Sequence, residues 1–513
     1  MFTSTNNSNN LLTQTTIAMA FTENGAASLE TTGDARVDLF FKLVRNLEGN
    51  NLLTMVDKAW DEDALDTMRI LFHGRDCRGG KGDRKPFLQA MTHIANSHPE
   101  WVSANLKNIP LYGRWLDMIE LFADLSDAHR KEVVDIISDQ LAEDLTAVET
   151  AAAAVPNAPA VSISLLAKWF PTEGKKWDRV KALRKQVCIR IAGMSGSRGN
   201  EHLRKVYLTP LRTHLNIVEH LMCTNQWDKI DYSKVPSCAI TRLKKAFAKH
   251  DEERYKAWLQ SVREGKSKIN TSVTYPHDLV RQYMDHYTGL DATTEEQWKS
   301  LVARYADDVR LQDMCVVSDV SGSMSGTPME VSIALGILIA TVCKGPFHKK
   351  LITFHEQPTL FDFGRHETLY DTVQAVAEMP WGGNTNLQRV IDLVLNTVDK
   401  DVPDMPVPGT LLILSDMQFD TAMGVHGSSI SNFKAIKEKF AASKKKVPNI
   451  VFWNLRGDTR DSPVTATTDG VTLLSGFSPA LLKLVVDGVK MTPYTTMRAA
   501  IDDERYEPVC GPE

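Results

Sequence analysis

The chain has 513 residues, enough for more than one domain with its own core, and its 43% hydrophobic and 24% charged residues are ordinary for a soluble globular protein. A formal net charge of −5 hides a split: 161–270 carries 23 Lys/Arg against 10 Asp/Glu, whereas 311–513 carries 18 against 24. Seven scattered cysteines with no Cys-x-x-Cys, no basic-then-apolar leader and no apolar run long enough for a membrane span exclude a disulfide scaffold, a secretory signal and a membrane protein, and predict a reduced, cytoplasmic one.

Residues 1–30 read as a disordered or extended tail, the first twenty being rich in Ser, Thr and Asn. From Asp34 the period becomes helical, with Val37, Phe40, Phe41, Val44 and Leu47 on one face. Amphipathic segments follow at 63–72, 86–96, 101–108, 113–123 and 128–145, then an Ala/Pro-rich linker at 151–160 and helical patterns at 203–220 and 242–262. Strand signals are nearly absent before 310, so 31–308 is predicted to be an α-helical, HEAT-like repeat domain.

Two basic features interrupt it. The glycine-rich run from His73 to Lys85 places Arg75, Arg78, Lys81, Arg84 and Lys85 where glycines let a backbone approach a phosphate. It equally suits a solvated loop between two helices. Further on, Lys175, Lys176, Arg179, Lys244, Lys245, Lys266 and Lys268 concentrate positive charge, with Phe247, Tyr255 and Trp258 interleaved. Such aromatics stack on bases or, at this helical spacing, fill a core. Together these cations are the candidate nucleic-acid surface.

After 311 strands and helices alternate: strands at 314–319, 350–354, 358–363, 410–415, 449–455 and 471–475, and helices at 328–343, 368–379, 386–399, 431–445 and 478–488. That order predicts a doubly wound α/β domain with a mostly parallel sheet over 309–492, followed by a short helix and tail at 493–513. Three strand-end loops carry oxygen donors. The run Met314-Cys-Val-Val-Ser-Asp319-Val-Ser321-Gly-Ser323 ends the first strand, Trp381-Gly-Gly-Asn-Thr385 precedes a helix, and Leu411-Leu-Ile-Leu-Ser415-Asp416 ends another strand. Carboxylates and hydroxyls outside the carboxyl ends of a sheet are hard donors of the kind Mg²⁺ or Mn²⁺ takes.

This order of Asp-x-Ser-x-Ser, Thr and Asp resembles the metal-ion-dependent adhesion site of von Willebrand factor A domains. The resemblance implies that Asp319, Ser321, Ser323, Thr385 and Asp416 hold a Mg²⁺ or Mn²⁺ ion with one position left for an acidic group of a protein partner. A helical-repeat domain followed by such a domain resembles the Ro (TROVE) ribonucleoprotein architecture. A closer likeness is to an uncharacterised, TROVE-like family of plants, fungi and large DNA viruses, including phages. It is carried by Thr22-Glu-Asn-Gly25, Arg75-Asp-Cys-Arg-Gly-Gly-Lys-Gly82, Tyr112-Gly-Arg-Trp115, Leu166-Ala-Lys-Trp169 and Lys234-Val-Pro-Ser237.

The resemblance implies a non-enzymatic scaffold that binds single-stranded or structured small RNA through its basic residues and a partner through its metal. The alternative is a metal-dependent protein scaffold with no nucleic-acid role. A membrane partner is not expected.

Overall fold

The computed structural model describes residues 17–154, 161–175, 178, 182–284, 288–354, 357–379, 386–400, 407–423, 429–485 and 491–512. A helical region is followed by a six-stranded, mostly parallel sheet. The strands, in chain order, are β1 (Met19–Phe21), β2 (Ala27–Leu29), β3 (Met314–Asp319), β4 (Lys350–Phe354), β5 (Thr359–Asp362), β6 (Thr410–Ser415), β7 (Ala422–Met423), β8 (Ser429–Ile430), β9 (Asn449–Asn454) and β10 (Val471–Ser475).

The large sheet runs β10-β9-β6-β3-β4-β5, with only β5 antiparallel to its neighbour. Both faces of its central strands are covered, which is why β3 and β6 read as unbroken apolar runs. Along β6 the side chains alternate between two cores: Leu411 and Ile413 join one, Leu412 and Leu414 the other. On the first face lie the helices Leu387–Lys400 and Asn432–Ala442; on the second lies Thr327–Val342, with Pro328 in its first turn. Thr327–Val342 is apolar nearly all round because the helix Pro276–Met284 covers its outer side.

The helical region does not stand apart from the sheet. Helix Ala35–Lys42, capped by the Asp34 carboxylate at 2.9 Å from Arg36 N, sends Phe40 into the core that the helical region shares with the second sheet face and Phe41 into the core on the first face. The face expected from periodicity is buried throughout, although the helix stops at Lys42 and Val44 and Leu47 follow it in a turn. Residues 218–269 have a separate small core built on Leu221, Tyr232, Ile240, Phe247 and Tyr255. The pattern at 203–220 is broken: a wide, π-helical turn at Leu203–Leu208 leads to Thr209–Leu215, which ends at Asn216 with φ 45°.

The first and last described segments both pack against distant parts of the chain. Of the expected tail at 1–30, residues 1–16 lie outside the described residues, and 19–29 form a β1–β2 hairpin, held by Thr22 Oγ1 donating to Phe419 O at 2.7 Å and by Leu29 N donating to Ser462 O at 2.9 Å. Helix Pro493–Ile501 is opened by Thr492, and the chain after it returns to the helical region. There Asn105 and Asn108 each donate at 2.7 Å, to Cys510 O and Pro508 O. The expected helix at 478–488 is a tight 3₁₀ segment, Pro479–Leu484, within the described residues.

Candidate functional site

β3 and β6 are neighbours and pair from Met314↔Thr410 to Ser318↔Leu414, so the residues after each strand leave the sheet side by side. This is the carboxyl edge where open α/β sheets bind ligands. Asp319 closes β3, Asp416 follows β6, and both are fully buried.

The Asp319 carboxylate accepts from Ser321 N at 2.9 Å and, through its other oxygen, from Ser415 Oγ at 2.5 Å. The Ser321 and Ser323 hydroxyls lie 3.1 Å apart, Ser321 buried and Ser323 at the exposed mouth. Asp416 accepts from Gln418 N at 3.1 Å, and its carbonyl accepts from Thr459 Oγ1 at 3.0 Å. Arg456, two residues past β9, reaches across the loops. Its Nη1 is 3.5 Å from Asp416 Oδ2 and 3.2 Å from Ser323 O, and its Nη2 is ion-paired with Asp458. Burial, followed by the like charge of Asp416, pushes the Asp319 carboxyl up to about 7.

A buried pair of carboxylates flanked by two hydroxyls fits a hard divalent cation in donor chemistry and in charge. Among the described residues no group of three or more His, Cys, Asp or Glu side chains is arranged to hold a metal ion, so the set relies on serine oxygens. The fold brings Asp319, Ser321, Ser323 and Asp416 together. Thr385 lies outside the described residues.

The candidate nucleic-acid residues divide. Arg75 is buried and pairs with Asp117 at 2.6 Å; Arg84 reaches the same carboxylate at 2.5 Å and also pairs with Glu120. Lys81 is fully buried: its Nζ donates to Phe40 O, to Leu43 O at 3.0 Å and to Ser475 Oγ at 2.6 Å. Lys244 donates to Gln282 at 2.7 Å and to Asp291 at 3.0 Å. These four therefore do not form the expected common basic surface, because nearby carboxylates and carbonyls absorb their charge.

The glycines serve close packing. A Cβ on Gly80 would lie 2.1 Å from His73 O, and one on Gly82, with φ 76°, would lie 1.9 Å from Tyr275 Oη. Arg78 is exposed but donates to Leu111 O at 3.0 Å, Lys85 lies 3.6 Å from Glu48, and Lys266 pairs with Glu264 at 2.7 Å. Lys175, Lys245 and Lys268 are exposed and have no ion pair among the described residues; Lys176 and Arg179 lie outside them. Tyr255 and Phe247 are core residues, not stacking platforms.

Ser415, Arg456 and Thr459 were not singled out from sequence. Ser415 sits beside Asp416 in the same quoted run, and Arg456 follows a predicted strand. Only the strand order, which sets β9 next to β6, turns Arg456 toward Asp416.

Residues 22–128 and 127–311 match a family described as a domain of unknown function, DUF2828. Residues 313–508 match a second domain of unknown function, DUF7788. The chain is also similar to Uncharacterized protein L728 of Acanthamoeba polyphaga mimivirus, 32% identical over 521 residues that cover 96% of this chain and 88% of that protein. With its helical half matched throughout and a relative alike over nearly its full length, the chain belongs to the DUF2828 family.

Proposed function

We propose that the chain is a non-enzymatic, metal-dependent binding scaffold whose α/β half is a von Willebrand factor A-like domain. One observation carries this reading: Asp319 and Asp416 are buried side by side at the ends of adjacent parallel strands, with the Ser321 and Ser323 hydroxyls beside them. Two carboxylates buried next to each other, with the Arg456 guanidinium no nearer than 3.5 Å to Asp416, favour a bound counter-ion, and an all-oxygen set suits a hard divalent cation such as Mg²⁺ or Mn²⁺. Thr385 is assigned to the same shell from its motif alone. The exposed mouth at Ser323 leaves room for an acidic group of a partner. Two-metal phosphoryl chemistry would call for more carboxylates than this pair.

The test is equilibrium binding of Mn²⁺ to the purified chain, to Asp319→Ala and to Asp416→Asn. One ion bound by the wild type and none by either variant is expected; equal binding by all three refutes the reading.

A second reading, a TROVE-like ribonucleoprotein scaffold, is favoured by the exposed, unneutralised cations Lys175, Lys245 and Lys268. Phosphate contacts would dominate its affinity, so binding of a fluorescent single-stranded RNA would fall steeply with salt. Absence of binding at low ionic strength leaves the protein-scaffold form alone.

A further inference from the structure

The guanidinium of Arg456 lies beside Asp416, and the contacts that hold it there are unequal. The backbone beneath it is rigid. Arg456 N donates to Asn454 Oδ1 at 2.9 Å, Leu455 N donates to Ser415 O at 3.0 Å, and Thr459 Oγ1 ties the far end of the turn to Asp416 O. From this anchored turn Nη1 bridges Ser323 O at 3.2 Å and Asp416 Oδ2 at 3.5 Å, joining the two loops that carry the oxygen donors.

Charge-assisted N–H···O contacts are normally about 2.7–2.9 Å, so the hold on Asp416 is loose. The hold on Asp458 is close, and Asp458 is exposed. Asp319 has no cationic partner among the described residues. The loop therefore offers one positive charge and two carboxylates to share it, one buried in the site and one outside.

We infer that Arg456 is the resident counter-ion of the site: it neutralises Asp416 until a divalent cation displaces it onto Asp458, so the Arg456–Asp458 pair sets how tightly the metal is held. This rests on the metal reading proposed above and adds a regulator to it. A guanidinium and a divalent ion sharing one carboxylate repel each other, and at an effective dielectric of about 20–40 that repulsion is worth an affinity change of at least about tenfold.

The test is a Mn²⁺ titration of the full chain, read from the electron paramagnetic resonance of free Mn²⁺, with circular dichroism to show that each variant is folded. Arg456→Gln, which keeps a donor for Ser323 O and loses the charge, is expected to bind Mn²⁺ about tenfold more tightly. Arg456→Lys stays near the wild type. Asp458→Asn frees the guanidinium to settle on Asp416 and weakens Mn²⁺ about threefold, and this effect vanishes in the Arg456→Gln background.

Asp319→Ala separates the two ideas. If it abolishes binding while Arg456→Gln leaves the affinity unchanged or lower, the counter-ion inference is overturned and the metal site stands. If Asp458→Asn weakens binding equally with and without Arg456, Asp458 acts on the metal directly and the inference also falls. If neither the wild type nor Arg456→Gln binds Mn²⁺, the metal reading fails and takes the inference with it.

Discussion

The ammonium of Lys81 lies 2.6 Å from Ser475 Oγ, joining a loop of the helical region to the last residue of β10. The same ammonium donates to Phe40 O and Leu43 O, carbonyls at the end of helix Ala35–Lys42 that Ser475 Oγ also reaches at 3.1 and 3.2 Å, and sits 4.7 Å from the centre of the Phe40 ring. One buried side chain thus ties a helix end, a glycine loop and a sheet edge together.

Lys81→Met should therefore destabilise the fold by about 2 kcal/mol, since the single proton of the Ser475 hydroxyl is left to serve both buried carbonyls. Urea unfolding of both proteins measures it. Burial lowers the Lys81 ammonium to about 7, against about 10.4 in an unfolded chain. Between these values the unfolded chain holds the proton more often, so the stability of the wild type relative to Lys81→Met should rise as pH goes from 7 to 10. A constant difference would mean that the three acceptors keep the ammonium fully charged.

His73 is completely buried, its ring nitrogens have no partner among the described residues, and burial pushes its pKa down to about 3. An unfolded histidine titrates near 6.5, so the stability contributed by the neutral ring is full above that pH and is lost as pH falls toward 3. The loss approaches roughly 1.4 kcal/mol per pH unit for this residue. His73→Leu should flatten the decline between pH 6 and 4 and cost little at pH 7.5, because no hydrogen bond is broken. Unfolding curves at the three pH values decide it.

A cation at Asp319 and Asp416 would bind the folded chain and not the unfolded one. Mg²⁺ at about 100 times its dissociation constant should add about 2.7 kcal/mol of stability. Thermal melts with and without Mg²⁺ should separate for the wild type and coincide for Asp319→Ala.

The C-terminal return is a second clamp. Tyr506 is fully buried, stacks on Tyr112 at 5.4 Å and donates to Asp76 at 3.0 Å, while Arg505 pairs with the same carboxylate. Tyr506→Ala should cost about 4 kcal/mol and expose the backbone of residues 105–112 to hydrogen exchange. Unchanged protection there would show that the segment is held by other contacts.

If RNA binds, Lys245→Glu with Lys268→Glu should weaken it for many sequences alike and lower the salt slope by about one per lost phosphate contact. Lys85→Glu is the more neutral comparison, because Glu48 already lies beside it. Equal affinity for all three chains would remove these lysines from any nucleic-acid surface.

Local pattern was enough to place the six strands of the large sheet and most helices, because a buried parallel strand is an apolar run and a surface helix repeats every 3.6 residues, whereas the short hairpins β1–β2 and β7–β8 carry no such run. It was also enough to nominate Asp319, Ser321, Ser323 and Asp416. Each follows a strand directly, and parallel strands deliver their carboxyl ends to one edge whatever their order. Partnership across the chain has no such signature. Lys81 and Ser475 are 394 positions apart and Arg505 and Asp76 are 429 apart, so a basic glycine loop that looks made for phosphate is, once folded, a packed joint. What the sequence by itself determined is which residues carry chemistry and at which strand ends they emerge. Only the tertiary structure decided which charges remain available, because a buried ion is neutralised by neighbours that the fold selects from the whole chain.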